Sequence, residues 1–340
     1  MTTSLTEFKL LYHDRLLDFV WREWSAMGVA GSVEDETRWI MDPEALLLFS
    51  CSVARSDARV FDEVLDWLQT NGRFINVLRL KRLQQTEQFA GTRVLAAIAG
   101  HLCKGTDAPK WKQLAVIPPL PATLEPLLFF TDGKPLPVIH EPEPHFARYG
   151  LERGPLRLRG YSRKFRPLDP TNLTLQLRAL VGNTARAEIL TYLLTHDAAH
   201  PSEIARCCAY HERAIQATLA EMSQSGVIQI KTTGREKHYW IKSGQWWPLL
   251  NRAERHPRWV TWAPLFRALE QIWIGLDDPR LPDLEPLMQA SLLRQLMLKV
   301  RPAIERAGFD KVLSDDRHYL AEAYLPVFLS DITKLLDSLQ

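Results

Sequence analysis

The distribution of proline constrains the fold of this chain more than any other sequence feature. Eleven of the 22 prolines lie between residues 118 and 170. Proline lacks a backbone N–H and clashes with the preceding helical turn, so no long helix can form in this stretch. We interpret residues 116–170 as an extended connector between the regions on either side.

Helical periodicity dominates both sides of this connector. Before it, Leu16, Leu17 and Val20 recur at helical spacing, and Asp42-Pro43 is typical of a helix start with Asp42 as the cap. After residue 246 the same spacing predicts helices near 259–275, 283–307 and 316–339. We therefore predict a mainly α protein with four segments: a helical N-terminal domain (1–115), the connector (116–170), a central domain (171–245) and a helical C-terminal domain (246–340).

Composition places the chain among globular proteins. Its 340 residues are 46% hydrophobic and 24% charged, and a chain of this length is expected to contain more than one core. We expect no membrane anchor, because no apolar run approaches the length of a bilayer, and no export signal. The four cysteines contain no C-x-x-C, which favours a reducing, cytoplasmic location without disulfides.

Motifs for catalysis, nucleotides or metals do not stand out. The chain lacks a phosphate-binding loop, a dinucleotide fingerprint, a nucleophile elbow and a zincin motif, so we predict no enzymatic activity and no cofactor. The string HEPEPH at 140–145 contains metal-ligand residue types, but its prolines would scatter them along an extended chain. We interpret it as a surface linker.

Residues 173–242 carry the most informative pattern. Three helices are predicted ahead of Gly226, the second beginning at Pro201 and the third placing Ile215 and Leu219 on its inner face. After Gly226, the strings VIQI and HYWI around the basic turn TTGREK predict a β-hairpin. This order is a helix-turn-helix followed by a β wing.

The strings LVGNTARAEILTYL, EMSQSGVI and GREKHYWI in this segment closely resemble the winged-helix domains of ArsR-type transcriptional regulators. The resemblance covers about one fifth of the chain and implies the fold and activity of a sequence-specific repressor. Metal-sensing members place paired cysteines in the helix before the recognition helix. Here Ser202 and Ala205 occupy the aligned positions, and Cys207 and Cys208 fall further on. We therefore expect no metal sensing.

Double-stranded DNA is the partner that this segment predicts. The major groove admits one helix, and a basic hairpin can lie along the neighbouring phosphates. Two-fold symmetric half-sites favour a homodimer. The candidate contacts are Arg213, Gln216 and Thr218 on the recognition helix and Lys231, Arg235 and Lys237 on the wing.

A basic stretch precedes the winged-helix segment. Residues 148–170 hold seven Arg and Lys against two acids, a net charge of +5. We interpret Arg157, Arg159, Arg163 and Lys164 as an arm along the phosphate backbone, because clustered cations bind nucleic acid by counterion release. The alternative is a linker whose arginines pair with carboxylates of the flanking domains.

A second basic stretch occurs at residues 60–83, where a helix, a turn and a basic helix with Arg79 and Arg82 follow one another. We interpret it as a helical hairpin rather than as a second DNA reader.

The size of the flanking segments supports a different function. About 270 of the 340 residues lie outside the DNA-binding pattern. The alternative to a regulator is an antitoxin-like or other interaction protein, whose helical domains bind a partner enzyme while the winged helix autoregulates.

Overall fold

The computed structural model describes residues 4–30, 38–105, 108–139, 141–252, 256–315 and 318–339. These residues form fifteen α-helices and four strands. The helices are α1 (Leu5–Met27), α2 (Pro43–Val53), α3 (Ala58–Asn71), α4 (Val77–Glu87), α5 (Thr92–Leu102), α6 (Ala108–Trp111), α7 (Pro144–Ala147), α8 (Leu173–Val181), α9 (Ala185–Thr195), α10 (Pro201–Cys207), α11 (Glu212–Ser223), α12 (Ser243–Leu249), α13 (Trp262–Leu276), α14 (Pro286–Ile304) and α15 (Tyr324–Ser338). The strands are β1 (Glu125–Pro126), β2 (Leu151–Glu152), β3 (Ile228–Thr233) and β4 (Glu236–Ile241).

Strands make a minor contribution to this fold. In the described part of the chain, β1 pairs with β2 in parallel and β3 pairs with β4 in antiparallel orientation, each as a two-stranded sheet. The prediction of a mainly helical protein is confirmed.

Local capping explains where the first helices begin. The Oγ of Ser4 accepts from the Glu7 N–H at 3.2 Å and the Glu7 carboxylate accepts from the Ser4 N–H at 2.9 Å, which is a capping box. The Asp42 carboxylate accepts from the N–H groups of Glu44 and Ala45 at 3.1 and 3.0 Å, with Pro43 in the first position of α2. The predicted cap at Asp42 is confirmed.

Helices from the two ends of the chain pack around one hydrophobic core. Phe49 of α2 stacks on Phe266 of α13 with ring centroids 4.7 Å apart. The hydroxyl of Tyr12, a fully buried residue of α1, donates to the Leu269 carbonyl of α13 at 2.8 Å. The segments predicted as separate N- and C-terminal domains therefore share a core, because α1 and α2 cover the buried face of α13. We call α1–α7 together with α13–α15 the helical body.

The proline-rich segment lies on the surface of the helical body. Phe146 of α7 is fully buried in the body core. Further along, the Arg153 guanidinium pairs with Asp62 of α3 at 2.7 Å, and the Asp66 carboxylate accepts from the Ser162 N–H at 2.8 Å. These contacts hold the extended chain against α3.

The central segment has a core of its own. Ile189, Ile204, Ile215 and Leu219, from three successive helices, are all fully buried, and Tyr239 of β4 closes the core beside them. We call residues 173–250, which contain α8–α12 with β3 and β4, the hairpin unit.

None of the described helices combines the length with the apolar content needed to cross a membrane. The longest described helix, α1, has 23 residues and carries charged side chains such as Lys9 and Arg15.

Buried ion pairs join the hairpin unit to the helical body. Glu44 of α2 accepts from Arg79 of α4 at 2.6 Å and from both terminal nitrogens of Arg178 of α8 at 2.6 and 2.8 Å. Arg79 also pairs with Asp42, and Arg178 pairs with Glu188 of α9 at 2.6 Å. The side chains of Glu44 and Arg178 have no exposed surface. We call these five residues the charge junction.

Mutual pairing keeps these groups ionised. Burial alone would lower the pKa of Arg178, but Glu188 and Glu44 together raise it above its usual range. Burial would likewise raise the pKa of Asp42, but the Arg79 guanidinium brings it below its ordinary value. Arg178 and Asp42 therefore carry their charges at neutral pH.

We expect Arg178→Met to lower the free energy of unfolding by about 3–5 kcal/mol, because it leaves Glu188 without its cation and Glu44 with one in place of two. The control Arg186→Met removes an exposed ion pair with Glu221 and should cost at most about 1 kcal/mol. Urea unfolding followed by far-UV circular dichroism measures both values. Equal, small losses in the two variants would contradict a stabilising role for the charge junction.

Candidate nucleic-acid interface

Side chains from the helical body hold the turn between α10 and α11. Ala209 in this turn has a left-handed backbone with φ of +54°. The Nε of Arg79 donates to the Cys208 carbonyl at 2.8 Å, and the Nδ2 of Asn76 donates to the Tyr210 hydroxyl at 2.7 Å. Both donors belong to the first turn of α4 and its cap. The body thus fixes the point from which α11 begins.

Helix α11 has a buried face and an open face. Ile215 and Leu219 point into the core of the hairpin unit with no exposed surface. Arg213 and Gln216 are exposed together with the small residues Ala217 and Ala220. The helix therefore presents two long polar side chains above a surface of alanine.

Acidic groups lie at both ends of this open face. Glu212 is exposed at the first position of α11, and its carboxylate accepts from the Gln216 Nε2 at 2.9 Å. Glu221 near the other end pairs with Arg186 at 2.6 Å. Arg213 forms no ion pair with a described carboxylate, so its guanidinium is available to an external acceptor.

Thr218, the third candidate on this helix, lies apart from the other two. At 3.6 residues per turn it points about 140° around the helix from Arg213. It is half-buried, and its hydroxyl donates to the Ala214 carbonyl at 2.8 Å. The structure brings Arg213 and Gln216 onto one face and leaves Thr218 at the edge of the core.

The β3–β4 hairpin is anchored to the helices by a third extended segment. Ala199, between α9 and α10, exchanges two backbone hydrogen bonds with Tyr239 of β4, at 3.0 and 2.9 Å. The hairpin ends in the two-residue loop Gly234-Arg235. Gly234 has φ of +64°, as the first position of a type II′ turn requires. Arg235 is therefore exposed at the tip.

The two lysines of the hairpin lie on opposite faces. Lys231 pairs across the strands with His238, and Lys237 pairs with Thr232. Because side chains alternate along a strand, Lys231 shares a face with Trp240 and Lys237 shares a face with Ile230. Both lysines are exposed. They can contact one ligand only if it surrounds the hairpin tip.

The basic segment before the hairpin unit is an extended strap on the helical body. Leu156 and Leu158 pack against the body core, so Arg157 and Arg159 alternate outward and are exposed. At Arg163 the main chain donates to the Gly28 carbonyl at 2.8 Å. A Cβ at Gly28 would lie 2.9 Å from the Arg163 carbonyl oxygen, so this close approach requires glycine.

The strap carries exposed positive charge. Its four candidate cations, Arg157, Arg159, Arg163 and Lys164, are exposed, and none forms an ion pair with a described carboxylate. The neighbouring Arg153 and Arg166 differ from them, because they pair with Asp62 and Asp169 at 2.7 and 3.1 Å.

A chain of contacts connects the end of the strap to α11. Phe165 packs edge-on against Phe74 with ring centroids 5.0 Å apart. The carbonyl of Arg73, the residue before Phe74, accepts a hydrogen bond from the Asn183 side chain at 3.2 Å. Arg186, at the start of α9, forms an ion pair with Glu221 of α11. The strap is therefore connected to the C-terminal end of α11 through two short segments: the turn that contains Arg73 and Phe74, and the start of α9.

The described cysteines and histidines do not form a reactive thiolate or a metal site at this surface. Burial raises the pKa of Cys207 and of Cys208, so neither is a thiolate at neutral pH. Within the described residues, no group of three or more His, Cys, Asp or Glu is placed to hold a metal ion. Of the 140–145 string, His140 lies outside the described residues, and the buried His145 has its Nε2 2.8 Å from the Ala97 carbonyl.

Sequence reasoning missed the residues that position the site. Arg79 is 4% exposed and acts inside the protein rather than as a basic surface residue. Its partners Asp42 and Cys208 lie 37 and 129 residues away along the chain. No local pattern marks such a role, although an arginine among leucines in α4 is a weak signal of a buried charge.

Comparison of the chain with protein-family models, with curated proteins and with solved structures finds no match.

Proposed function

We propose that this chain is a cytoplasmic, DNA-binding transcriptional regulator whose hairpin unit is a winged helix-turn-helix of the ArsR type. The observation that carries the proposal is the open face of α11, with Arg213 and Gln216 exposed over alanines. Small residues allow a helix to approach the base edges closely, while long polar side chains reach donors and acceptors in the major groove.

The β3–β4 hairpin also favours DNA as the ligand. Arg235 at its tip and the lysines on its two faces suit a groove edge, where phosphates lie on either side of an inserted hairpin. Phosphate contacts position a protein, whereas base contacts specify sequence. The wing and strap therefore supply affinity, and α11 supplies sequence preference. A homodimer would place two such helices on symmetric half-sites.

A protein-binding function has one observation in its favour. Apolar side chains of α14 are exposed within one arc of that helix. They are Leu287, Met288, Leu292 and Leu298, exposed by 51, 51, 38 and 56% respectively. Exposed apolar stripes are typical of protein interfaces, so α14 is where a partner protein or the second protomer would bind.

We expect Gln216→Ala to change the DNA sequence preference, because the side chain would contact a base edge. We expect Arg235→Ala to lower the affinity for all DNA sequences alike. The Arg235 variant should also reduce the slope of log affinity against log salt by about 0.9. Fluorescence anisotropy with DNA from the protein's own promoter and with a scrambled duplex measures both. Gln245→Ala on the exposed side of α12 is the control. Absence of binding to either duplex at low salt would refute the proposal.

The strap predicts a second salt-dependent effect. Replacing Arg157, Arg159, Arg163 and Lys164 by glutamine should lower affinity for specific and random DNA by similar factors and reduce the salt slope by up to about 0.9 per lost contact. Thermal stability should be unchanged, since these side chains form no ion pairs with described carboxylates. Replacing Lys104, Lys112, Lys299 and Lys311, which are also exposed, is the matched control. An unchanged slope in the strap variant would exclude the phosphate-binding arm.

The oligomeric state of the purified protein distinguishes a DNA-binding regulator from a protein that acts by binding a partner. A regulator of this kind purified alone should scatter light as a homodimer of 78 kDa, twice the 39.1 kDa chain. Changing Leu292 and Leu298 to Glu should leave DNA affinity per protomer intact if α14 binds another protein. A monomer that binds DNA only after co-purifying with the neighbouring gene product would favour the interaction function.

A further inference from the structure

The proline-rich segment begins with an exposed apolar stretch. Residues 114–124 contain no charged side chain, and residues 115–121 have the sequence AVIPPLP. Val116, Ile117 and Leu120 are exposed by 68, 44 and 61% respectively. Single exposed apolar residues are common on protein surfaces, but a contiguous run of them is typical of an interaction site.

Proline restricts the backbone of this stretch to extended conformations. Each proline ring holds its own φ at about −65°, and the residue before a proline is excluded from the helical region. Both restrictions act on residues 117–121, where prolines occupy positions 118, 119 and 121. Residues 115–121, all of them described, form no helix, strand or turn. This combination is typical of a polyproline II helix.

Burial in this stretch repeats every third residue. Ala115, Pro118 and Pro121 are half-buried, whereas the four residues between them are exposed. A polyproline II helix has three residues per turn, so residues three positions apart share one edge. One edge therefore lies against the helical body, and the other two edges face solvent. The solvent-facing edges are formed by Val116 with Pro119 and by Ile117 with Leu120.

Two hydrogen bonds from the helical body hold the segment in place. The Tyr149 hydroxyl donates to the Ala115 carbonyl at 3.1 Å. The Nη2 of Arg93 donates to the Pro119 carbonyl at 3.1 Å. The segment is therefore held in its extended form before any partner binds, which reduces the conformational entropy lost on association.

The chemistry of this segment indicates the kind of partner that it fits. Prolines 118, 119 and 121 have no backbone N–H, so the segment is unsuited to pairing with an edge strand of another protein. Polyproline II segments instead bind in grooves lined by aromatic side chains, as in WW and SH3 domains.

We propose that residues 115–121 are a docking site for a protein domain with an aromatic-lined groove, which receives the two solvent-facing edges. This site lies on the helical body. It is independent of DNA binding by the hairpin unit.

A panel of purified WW and SH3 domains tests the docking site. A labelled peptide of residues 113–124 first selects a domain that binds this sequence in fluorescence anisotropy. The selected domain is then titrated into the full chain by isothermal calorimetry, where we expect saturable binding. The free peptide should compete with the full chain, and a peptide with alanine at its three proline positions should not.

Variants of the full chain identify the contacting edges. Leu120→Ser should weaken binding of the selected domain at least about tenfold, because a leucine side chain is lost from the interface. Pro119→Ala, on the other edge, should also weaken it. Leu180→Ser at the end of α8 is the matched control, since Leu180 is exposed by 58%, and it should leave the affinity unchanged. Far-UV circular dichroism verifies that each variant is folded.

Four results would overturn the docking site. They are a panel in which no domain binds the peptide, a full chain that does not bind the domain selected with the peptide, equal losses of affinity in Leu120→Ser and Leu180→Ser, and dissociation of a homo-oligomer by Leu120→Ser in light scattering. The last result would assign this surface to a second copy of the chain. DNA affinity of Leu120→Ser should equal that of the wild type, so failure of the docking site and failure of the proposed function are distinguishable.

Discussion

The buried carboxylate of Glu44 is the point on which the arrangement of this chain depends. An unpaired charge in a protein interior is strongly unfavourable, so burial of Glu44 requires its cations to arrive with correct geometry. They come from Arg79 and Arg178, which lie 35 and 134 residues away. Meeting this requirement brings α2, α4 and α8 together and mounts the hairpin unit on the helical body in one orientation. Apolar contacts alone are less directional and would allow neighbouring orientations.

The same junction explains why α11 is presented outward. Arg79 uses its terminal nitrogens for Asp42 and Glu44 and its Nε for the Cys208 carbonyl in the turn before α11. One side chain therefore connects the ion pairs of the interior to the start of the proposed recognition helix. Rigid positioning of this kind suits the role proposed for α11, since a recognition helix has to fit a groove.

Positive charge in this chain occurs in two settings, and burial distinguishes them. Arg153 and Arg178 are buried in ion pairs and stabilise packing. Arg157 and Arg159 project from a strap whose alternate residues, Leu156 and Leu158, hold it to the body. An extended backbone places successive side chains on opposite sides. A stretch that looks uniformly basic in the sequence therefore has one apolar side, which packs on the helical body, and one basic side, which faces solvent.

Local sequence determined the elements of this fold and of its candidate site. The cap at Asp42, the helices around Ile189 and Ile215, and the hairpin around Gly234 follow from periodicity and turn chemistry, which act within a few residues. Tertiary structure alone decided that the two ends of the chain share one core and that Arg79 is interior. These outcomes depend on contacts between distant residues such as Phe49 with Phe266 and Arg79 with Cys208. Their free energy arises only once several helices have packed, so no short segment of the sequence can encode them by itself.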